Sequence, residues 1–427
     1  MERNTLATSI PVSTKQSNPR STPVTLEYSG KTPAFEVLSA NYKPCDLVLS
    51  NTGSSNLLFF DDNLNALKQM LANPDIKEKI NLAYIDPPFS TGGLFECKNR
   101  SIGYQDLLSG SEYIEFLRKR LILIHELLSE TGSLYVHLDS NMVFHVKLIL
   151  DEIFGPQNFR NMITRKKCSN KNYTKKTYGD ICDYILFYTK TSNYVWNKPF
   201  DPWSEEKILK EYPCIDSDGR RYKKVPIHAP GVRNGDTGGL WHGMLPPQGK
   251  HWQYTPSKLD QLDAAGEIYW SPTGNPRRKL YYDPSKGISV QNIWMDYRDS
   301  INQNDKVTGY PTEKNILMLK KIIAASSNPG DYVLDCFCGS GSTLDAAYQL
   351  KRNWIGVDQS LEAMRATIKR FSQGVERFGE CGTKTTKQMK ITAELDCKYN
   401  IFSSTDNVEV LNSILLEFGL RGDNSHF

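Results

Sequence analysis

The stretch DYVLDCFCGSGST, from Asp331 to Thr343, joins an apolar strand to a helix through a loop with two glycines. It limits the fold more than any other stretch, because a strand that turns through glycines straight into a helix is the nucleotide-binding edge of a parallel α/β sheet. Gly339 and Gly341 remove side chains where the backbone must turn sharply and approach a ligand. The first turn of the following helix leaves amides unpaired. A second strand, NWIGVD, ends at Asp358, about 20 residues on, where an acid can accept hydrogen bonds from two ribose hydroxyls.

What the loop lacks narrows its ligand. A dinucleotide fingerprint wants a third glycine where this chain has Leu344, and a phosphate-gripping loop wants a lysine after its last glycine, where this chain has Ser342. Asp335, just before the loop, is badly placed beside a pyrophosphate but suits a cationic, amino-acid-like group. S-adenosylmethionine has a ribose, an adenine and an ammonium group and no phosphate, and is the expected cofactor.

Upstream, the strand INLAYI runs into Asp86, Pro87, Pro88 and Phe89. Two consecutive prolines fix the backbone and remove two amide donors, leaving a rigid turn rich in acceptors. At the carboxyl end of a parallel strand such a turn lies where open α/β sheets bind ligands. The exocyclic amino group of adenine or cytosine is a poor nucleophile, since its lone pair is delocalised into the ring. Asp86 and the Pro87 carbonyl can each accept one of its hydrogens, freeing the lone pair for a methyl donor, while Phe89 stacks on the base. A paired base cannot reach such a pocket, so the target must be flipped from the duplex.

The chain has 52 basic and 48 acidic residues in 427, a net charge of +4, so overall charge does not point to nucleic acid. A hydrophobic share of 39% excludes a disordered tail protein, and no apolar run approaches the ~20 residues of a membrane span. The opening MERNTLATSIPVSTKQSNPRSTPV has no apolar core for a secretory signal. Nine cysteines occur without a Cys-x-x-Cys pair, so no metal site is expected and free thiols in a reducing cytoplasm fit best. The segment RNMITRKKCSNKNYTKK carries Arg160, Arg165, Lys166, Lys167, Lys171, Lys175 and Lys176 and no acid. It is either a solvated loop or a segment that neutralises a phosphate backbone.

Pattern changes divide the chain into five parts. Residues 1–45 read as a flexible lead-in, 46–159 as a catalytic half of alternating strands and helices, and 160–310 as an inserted recognition region rich in Gly, Pro, Trp and Tyr. Residues 311–371 return to the helix and strand pattern of a cofactor-binding half, and 372–427 read as a C-terminal appendage. The helical run EYIEFLRKRLILIHELL places Ile114, Leu117, Leu121, Ile124 and Leu128 on one buried stripe, with His125 at its boundary. Trp241, Trp252 and Tyr254 are expected in the core of the inserted region, with base stacking as the alternative.

Asp86-Pro87-Pro88-Phe89 and Asp335-Cys336-Phe337-Cys338-Gly339-Ser340-Gly341, together with YPTEKN, GSLYVHLDSN and DEIFGPQNF, resemble the signatures of the beta group of bacterial amino-DNA methyltransferases. The group has permuted motif order and includes the modification subunits of Type III restriction systems. The resemblance implies a circularly permuted, Rossmann-like S-adenosylmethionine-dependent methyltransferase fold with an inserted target-recognition region. It also implies that Asp86 to Phe89 hold the target amino group. Asp335, Phe337, Gly339 and Gly341 would line the methionine side of the cofactor, Thr312 would contact its amino-acid part, Asp358 its ribose and Asp62 the region of its adenine. The usual glycine before that last acid is replaced by Asp61, Cys336 stands where proline is common, and Arg165 where an aromatic residue is common. Aspartate at the head of the Pro-Pro turn goes with N6 of adenine in this group and serine with cytosine, so adenine is expected.

The expected partner is double-stranded DNA, contacted by Arg165, Lys166, Lys167, Lys171, Lys175 and Lys176, in a cytoplasmic, nucleoid-associated enzyme. A restriction endonuclease subunit and a homodimer stay open as further partners. The rival readings are N4 methylation of cytosine, a DNA-binding relative without catalysis, and ring-carbon methylation through the cysteine of Pro213-Cys214. The last lacks the end of a sheet strand and an acidic partner.

Overall fold

Ten strands form the main sheet of the computed structural model, which describes residues 24–51, 53–88, 94–96, 102–105, 110–169, 176–299, 306–307, 313–374, 376–377 and 397–421. The strands are β1 (Cys45–Leu49), β2 (Leu57–Phe60), β3 (Ile80–Ile85), β4 (Leu128–Leu138), β5 (Phe159–Lys166), β6 (Cys182–Thr189), β7 (Ile293–Trp294), β8 (Tyr332–Asp335), β9 (Asn353–Asp358) and β10 (Asn400–Ser404). Their spatial order is β1-β10-β2-β9-β8-β3-β4-β6-β5-β7. From β10 to β4 all neighbours run parallel, and β1, β6 and β5 extend the sheet antiparallel at its two sides.

The parallel strands read as nearly continuous apolar runs because helices cover both faces. Ile80, Leu82, Ala83, Tyr84 and Ile85 of β3 and Val333 and Leu334 of β8 are all buried. The covering helices are α1 (Asn63–Ala72), α2 (Gly110–Leu127), α3 (Val143–Phe154), α4 (Ile316–Ser326), α5 (Ser342–Gln349), α6 (Leu361–Gln373) and α7 (Val408–Glu417). Ile114, Leu117, Leu121 and Ile124 of α2 are buried as the stripe requires, and His125 sits at its edge, bonded to Glu126. Asp62, Asn315 and Ser360 cap α1, α4 and α6 by accepting hydrogen bonds from first-turn amides. Among the described residues, no helix is long and apolar enough to cross a membrane, and every cysteine is a free thiol.

The register sets up the site. In β8, Tyr332, Val333 and Leu334 pair with Ile80, Leu82 and Ala83 of β3, so two segments far apart in sequence are parallel neighbours. Asp86 follows β3 and Asp335 ends β8, which puts both at the carboxyl edge of the sheet.

Three expected boundaries are corrected. The compact second unit is Pro199–Val290, narrower than 160–310. β5, β6 and β7 belong to the main sheet, because Met162 to Lys166 pair with Leu186 to Cys182, and Ile293 and Trp294 pair with Thr164 and Arg165. The C-terminal part 372–427 is more than an appendage: β10 lies between β1 and β2, and Glu417 of α7 pairs with Arg365 of α6 at 2.8 Å. Within 1–45, residues from Leu26 onward are tied to the body. The Tyr28 hydroxyl donates to Glu115 at 2.6 Å, and Leu26 and Tyr28 pack on the core.

The second unit has its own core of Ile227, Trp241, Trp252, Leu259, Leu262 and Ile268. Trp241 and Trp252 are core residues, and Tyr254 packs beside them and accepts a hydrogen bond from Arg278. Cys214 lies on a short strand of this unit, in a sheet with Arg221–Val225, Pro276–Tyr281 and Ile268–Trp270.

Candidate active site

β3 is buried on both faces and releases its chain into the Asp86-Pro87-Pro88 turn, with Pro87 buried. The Lys314 ammonium lies 2.6 Å from Asp86 Oδ2, and the two side chains are 10% and 17% exposed. Asp86 Oδ1 is buried and has no hydrogen-bond partner among the described residues. Phe89 lies outside the described residues, as do Thr312, Lys171 and Lys175.

His137 of β4, fully buried, stands behind Asp86. Its Nδ1 is 2.8 Å from the Tyr84 hydroxyl and its Nε2 is 3.2 Å from Asp183 Oδ2. Burial pushes the imidazole down from its ordinary value, so the neutral ring is the resting form. A carboxylate at Nε2 and a hydroxyl at Nδ1 place the proton on Nε2. The 3.9 Å approach of Nδ1 to Asp86 Oδ1 is therefore no ion pair.

Asp183 gathers positive charge. Arg165 Nη1 lies 3.1 Å and Lys167 Nζ 3.0 Å from it. Burial raises the Asp183 carboxyl, but the hydrogen bond from His137 and the charges of Lys314 and Lys167 outweigh it and hold the group well below the usual carboxylate range. Arg165 also donates to the Tyr297 carbonyl at 2.6 Å and pairs with Asp299 at 2.5 Å. It is 0% exposed, which corrects its expected place among the DNA contacts: a guanidinium consumed by two carboxylates inside the sheet has no donor to offer a phosphate. Lys167 is committed to Asp183 and Asp180. Lys166 is half-buried, and Lys176 is exposed beside an exposed Tyr178.

The glycine loop after β8 is fixed from three sides. Asp335, buried, accepts the Phe337 N–H at 3.0 Å, and Gly339 N–H donates to Asp358 Oδ2 at 2.9 Å. The Thr367 hydroxyl of α6 donates to the Gly339 carbonyl at 2.8 Å. Gly341 has φ +73°, and a Cβ there would come 2.9 Å from Thr367 Oγ1, so glycine is required both by conformation and by space. Arg370, buried under the loop, donates to the Ser340 carbonyl at 2.7 Å, pairs with Asp345 at 3.2 Å, and bonds Glu313. On the other side Asn63 donates to the Cys336 carbonyl at 2.6 Å and accepts from Arg120, which also pairs with Asp62 at 3.0 Å. Phe337 lies beside Phe116, ring centroids 6.1 Å apart.

Burial raises the Asp335 carboxyl to about 7, with the charges of Asp86 and Asp358 adding to the shift and the Thr343 and Phe337 hydrogen bonds opposing it. Burial also raises Asp358, although the amides of Ser360, Gly339 and Gln359 pull the other way. Asp358 stays partly exposed at the strand end, with Oδ2 accepting from the Gly339 amide and Oδ1 from the Ser360 amide, and the carboxylate keeps lone pairs for a ligand. Asp62 is likewise partly exposed, capping α1 while paired with Arg120. Among the described residues, no group of His, Cys, Asp and Glu could hold a metal ion.

Motif reading did not single out Lys314, His137, Arg120 or Arg370. Lys314 lies in YPTEKN and His137 in GSLYVHLDSN, so both could have been named there; Arg120 and Arg370 are single residues on helices with no local signal.

A model of the N6/N4 methyltransferase family, described as DNA methylase, matches residues 80–369. The chain is 46% identical over 401 residues to the Type II methyltransferase M.EcaI of Enterobacter cloacae, covering 91% of this chain and 87% of that protein. It is 28% identical over 339 residues to the Type III restriction-modification enzyme StyLTI Mod subunit of Salmonella typhimurium, covering 70% of this chain and 51% of that one, so it spans about half the length of that relative. It is 24% identical over 311 residues to the DNA adenine methyltransferase YhdJ of Escherichia coli, covering 73% and 80% of the two chains.

Proposed function

This chain belongs to the N6/N4 DNA methylase family, and from that premise we propose that it methylates the exocyclic amino group, N6, of a flipped adenine at specific sites in duplex DNA. The observation that carries the reading is Asp86 Oδ1, a buried acceptor without a donor among the described residues, one strand away from the glycine loop that follows Asp335 and is held by Asp358. A buried acceptor left unpaired costs about 1–3 kcal/mol, and an incoming N–H removes that cost. S-adenosylmethionine supplies a methyl group on a positively charged sulfur. The residues around the loop suit it: Asp358 keeps lone pairs for ribose hydroxyls, Asp335 is an acid for an ammonium group, and no lysine follows the loop to grip phosphates.

Asp86 Oδ1 and the Pro87 carbonyl each accept one hydrogen of the amino group, drawing the nitrogen toward tetrahedral geometry. Its lone pair would take the methyl group that the sulfonium supplies, with the C–S electron pair retained by sulfur, and the proton then shed by the nitrogen would pass to solvent. Burial of this edge keeps water from competing for the acceptors. Aspartate at the head of the turn favours adenine, as in the group this sequence resembles, and one relative is named for adenine. The name of one relative supports a place in restriction and modification with an endonuclease partner. Lys166 and Lys176, half-buried and exposed, are the members of the basic run proposed as DNA contacts.

The test is transfer of labelled methyl groups from S-adenosylmethionine to duplex DNA by the full chain, followed by nucleoside analysis. N6-methyladenine is the expected product. N4-methylcytosine would replace adenine by cytosine in this reading, and cofactor binding without transfer to DNA would remove the enzyme claim. Methylation-sensitive sequencing of DNA from cells expressing the chain gives the recognised site.

A further inference from the structure

Lys314 has no role in the reading so far, yet it is the group nearest the reacting edge. It sits between two anchored residues: Glu313 is bonded to buried Arg370, and Asn315 caps α4 through Leu317 N–H at 2.9 Å. The backbone therefore delivers its ammonium to Asp86 from a well-held position. Asp86 Oδ2 receives that ammonium at 2.6 Å, while Oδ1 is buried with no hydrogen-bond partner among the described residues. The other groups facing Asp86 cannot do the same work. The Nδ1 of His137 is 3.9 Å from Oδ1 and is occupied by the Tyr84 hydroxyl, and Asp335 is itself an acid with no cation to offer.

We propose that Lys314 is a positioning residue for methyl transfer: it clamps Oδ2, balances the carboxylate charge, and so presents Oδ1 as the one open acceptor for the target amino group. The inference rests on the reading of Asp86 given above. An aspartate side chain turns freely about two bonds, and an acceptor that wanders by an ångström loses the aligned lone pair. An ammonium held against one oxygen fixes the direction of the other. The rival role for an ammonium here is to pair with the carboxylate of the methyl donor's amino-acid end, and the two roles separate in experiment.

The full chain is compared with Lys314→Met, Lys314→Arg, Asp86→Asn and the double variant Lys314→Met/Asp86→Asn. Donor affinity is read by titration of S-adenosylmethionine, transfer by single-turnover labelling of duplex DNA, and pairing by a urea double-mutant cycle. With Lys314→Met, transfer is expected to slow by about 100-fold with donor affinity kept within about threefold, and Lys314→Arg is expected to recover most of the rate. The urea cycle shows coupling between the two positions, a result independent of activity.

A fall in donor affinity matching the fall in rate would overturn the proposal in favour of the donor carboxylate. An unchanged rate in an active background, or no coupling in urea, would also overturn it. If the Met variant unfolds, Lys314→Gln and Lys314→Arg are read by the same criteria. If the unsubstituted chain transfers no methyl group to DNA, the function reading fails by itself, and the urea cycle still reports on the pair.

Discussion

The backbone N–H of Gly339 donates to Asp358 Oδ2 at 2.9 Å, tying the loop after β8 to the end of β9 across two neighbouring parallel strands. One carboxylate thus shapes the loop and keeps lone pairs at the sheet edge. Asp358→Ala removes both functions. Charged hydrogen bonds contribute about 1.5–3 kcal/mol each, so S-adenosylmethionine affinity should fall by about 10- to 100-fold, measured by titration calorimetry. Unchanged affinity would detach Asp358 from the ligand site.

The pH dependence of donor binding follows from Asp335. Its carboxyl is raised from 3.8 to about 7, so in that interval the folded, ligand-free protein holds a proton that the unfolded chain has lost. Its share of stability is therefore greatest below that window and declines as pH rises through it. A cationic ligand group beside the carboxylate favours the ionised form. Binding of S-adenosylmethionine should tighten between pH 5 and pH 8, roughly tenfold or less, with proton release near pH 6. Calorimetry in two buffers of different ionisation enthalpy reads the proton directly. A flat profile would place the ammonium elsewhere.

On the proposed reading, Asp86 belongs to the acceptor side. Asp86→Ala should reduce methyl transfer by about 1,000-fold or more while S-adenosylmethionine affinity changes by no more than about threefold, since the carboxylate meets the base rather than the donor. Single-turnover labelling and titration on the same preparation decide it. Equal losses in both would merge the two halves of the site.

The basic segment divides by burial. Arg165→Met leaves Asp183 and Asp299 without their shared cation inside the sheet, which should cost about 3–5 kcal/mol in urea unfolding without altering the salt slope of DNA binding. Lys166→Ala and Lys176→Ala should each lower that slope by about 1 and leave stability nearly unchanged. Salt slopes that stay constant would return these lysines to an ordinary surface.

The two halves of the site were legible because each is local. A strand running into Asp86-Pro87-Pro88, and a strand running into Gly339 and Gly341 with Asp358 after the next strand, are contiguous patterns whose backbone demands are written in Pro and Gly. The apolar stripe of α2 and the Trp241 and Trp252 core were legible for the same reason: burial follows short-range periodicity and aromatic content. The recognition boundary was misplaced because β5 and β6 are antiparallel additions to the sheet, and their pairing is a long-range fact with no marker inside 160–198.

Sequence by itself determined the elements, the loop chemistry and the family that the chain belongs to, since these depend on residues within a few positions of one another. Tertiary structure decided which charges meet. Arg165 looks like its lysine neighbours in a basic run, but alternation along β5 turns it inward to Asp183 and Asp299, while Lys314 reaches Asp86 because β8 pairs with β3 and carries the segment before α4 to the same edge. Electrostatic partnership is set by distance and burial in three dimensions, and neither is encoded by composition along the chain.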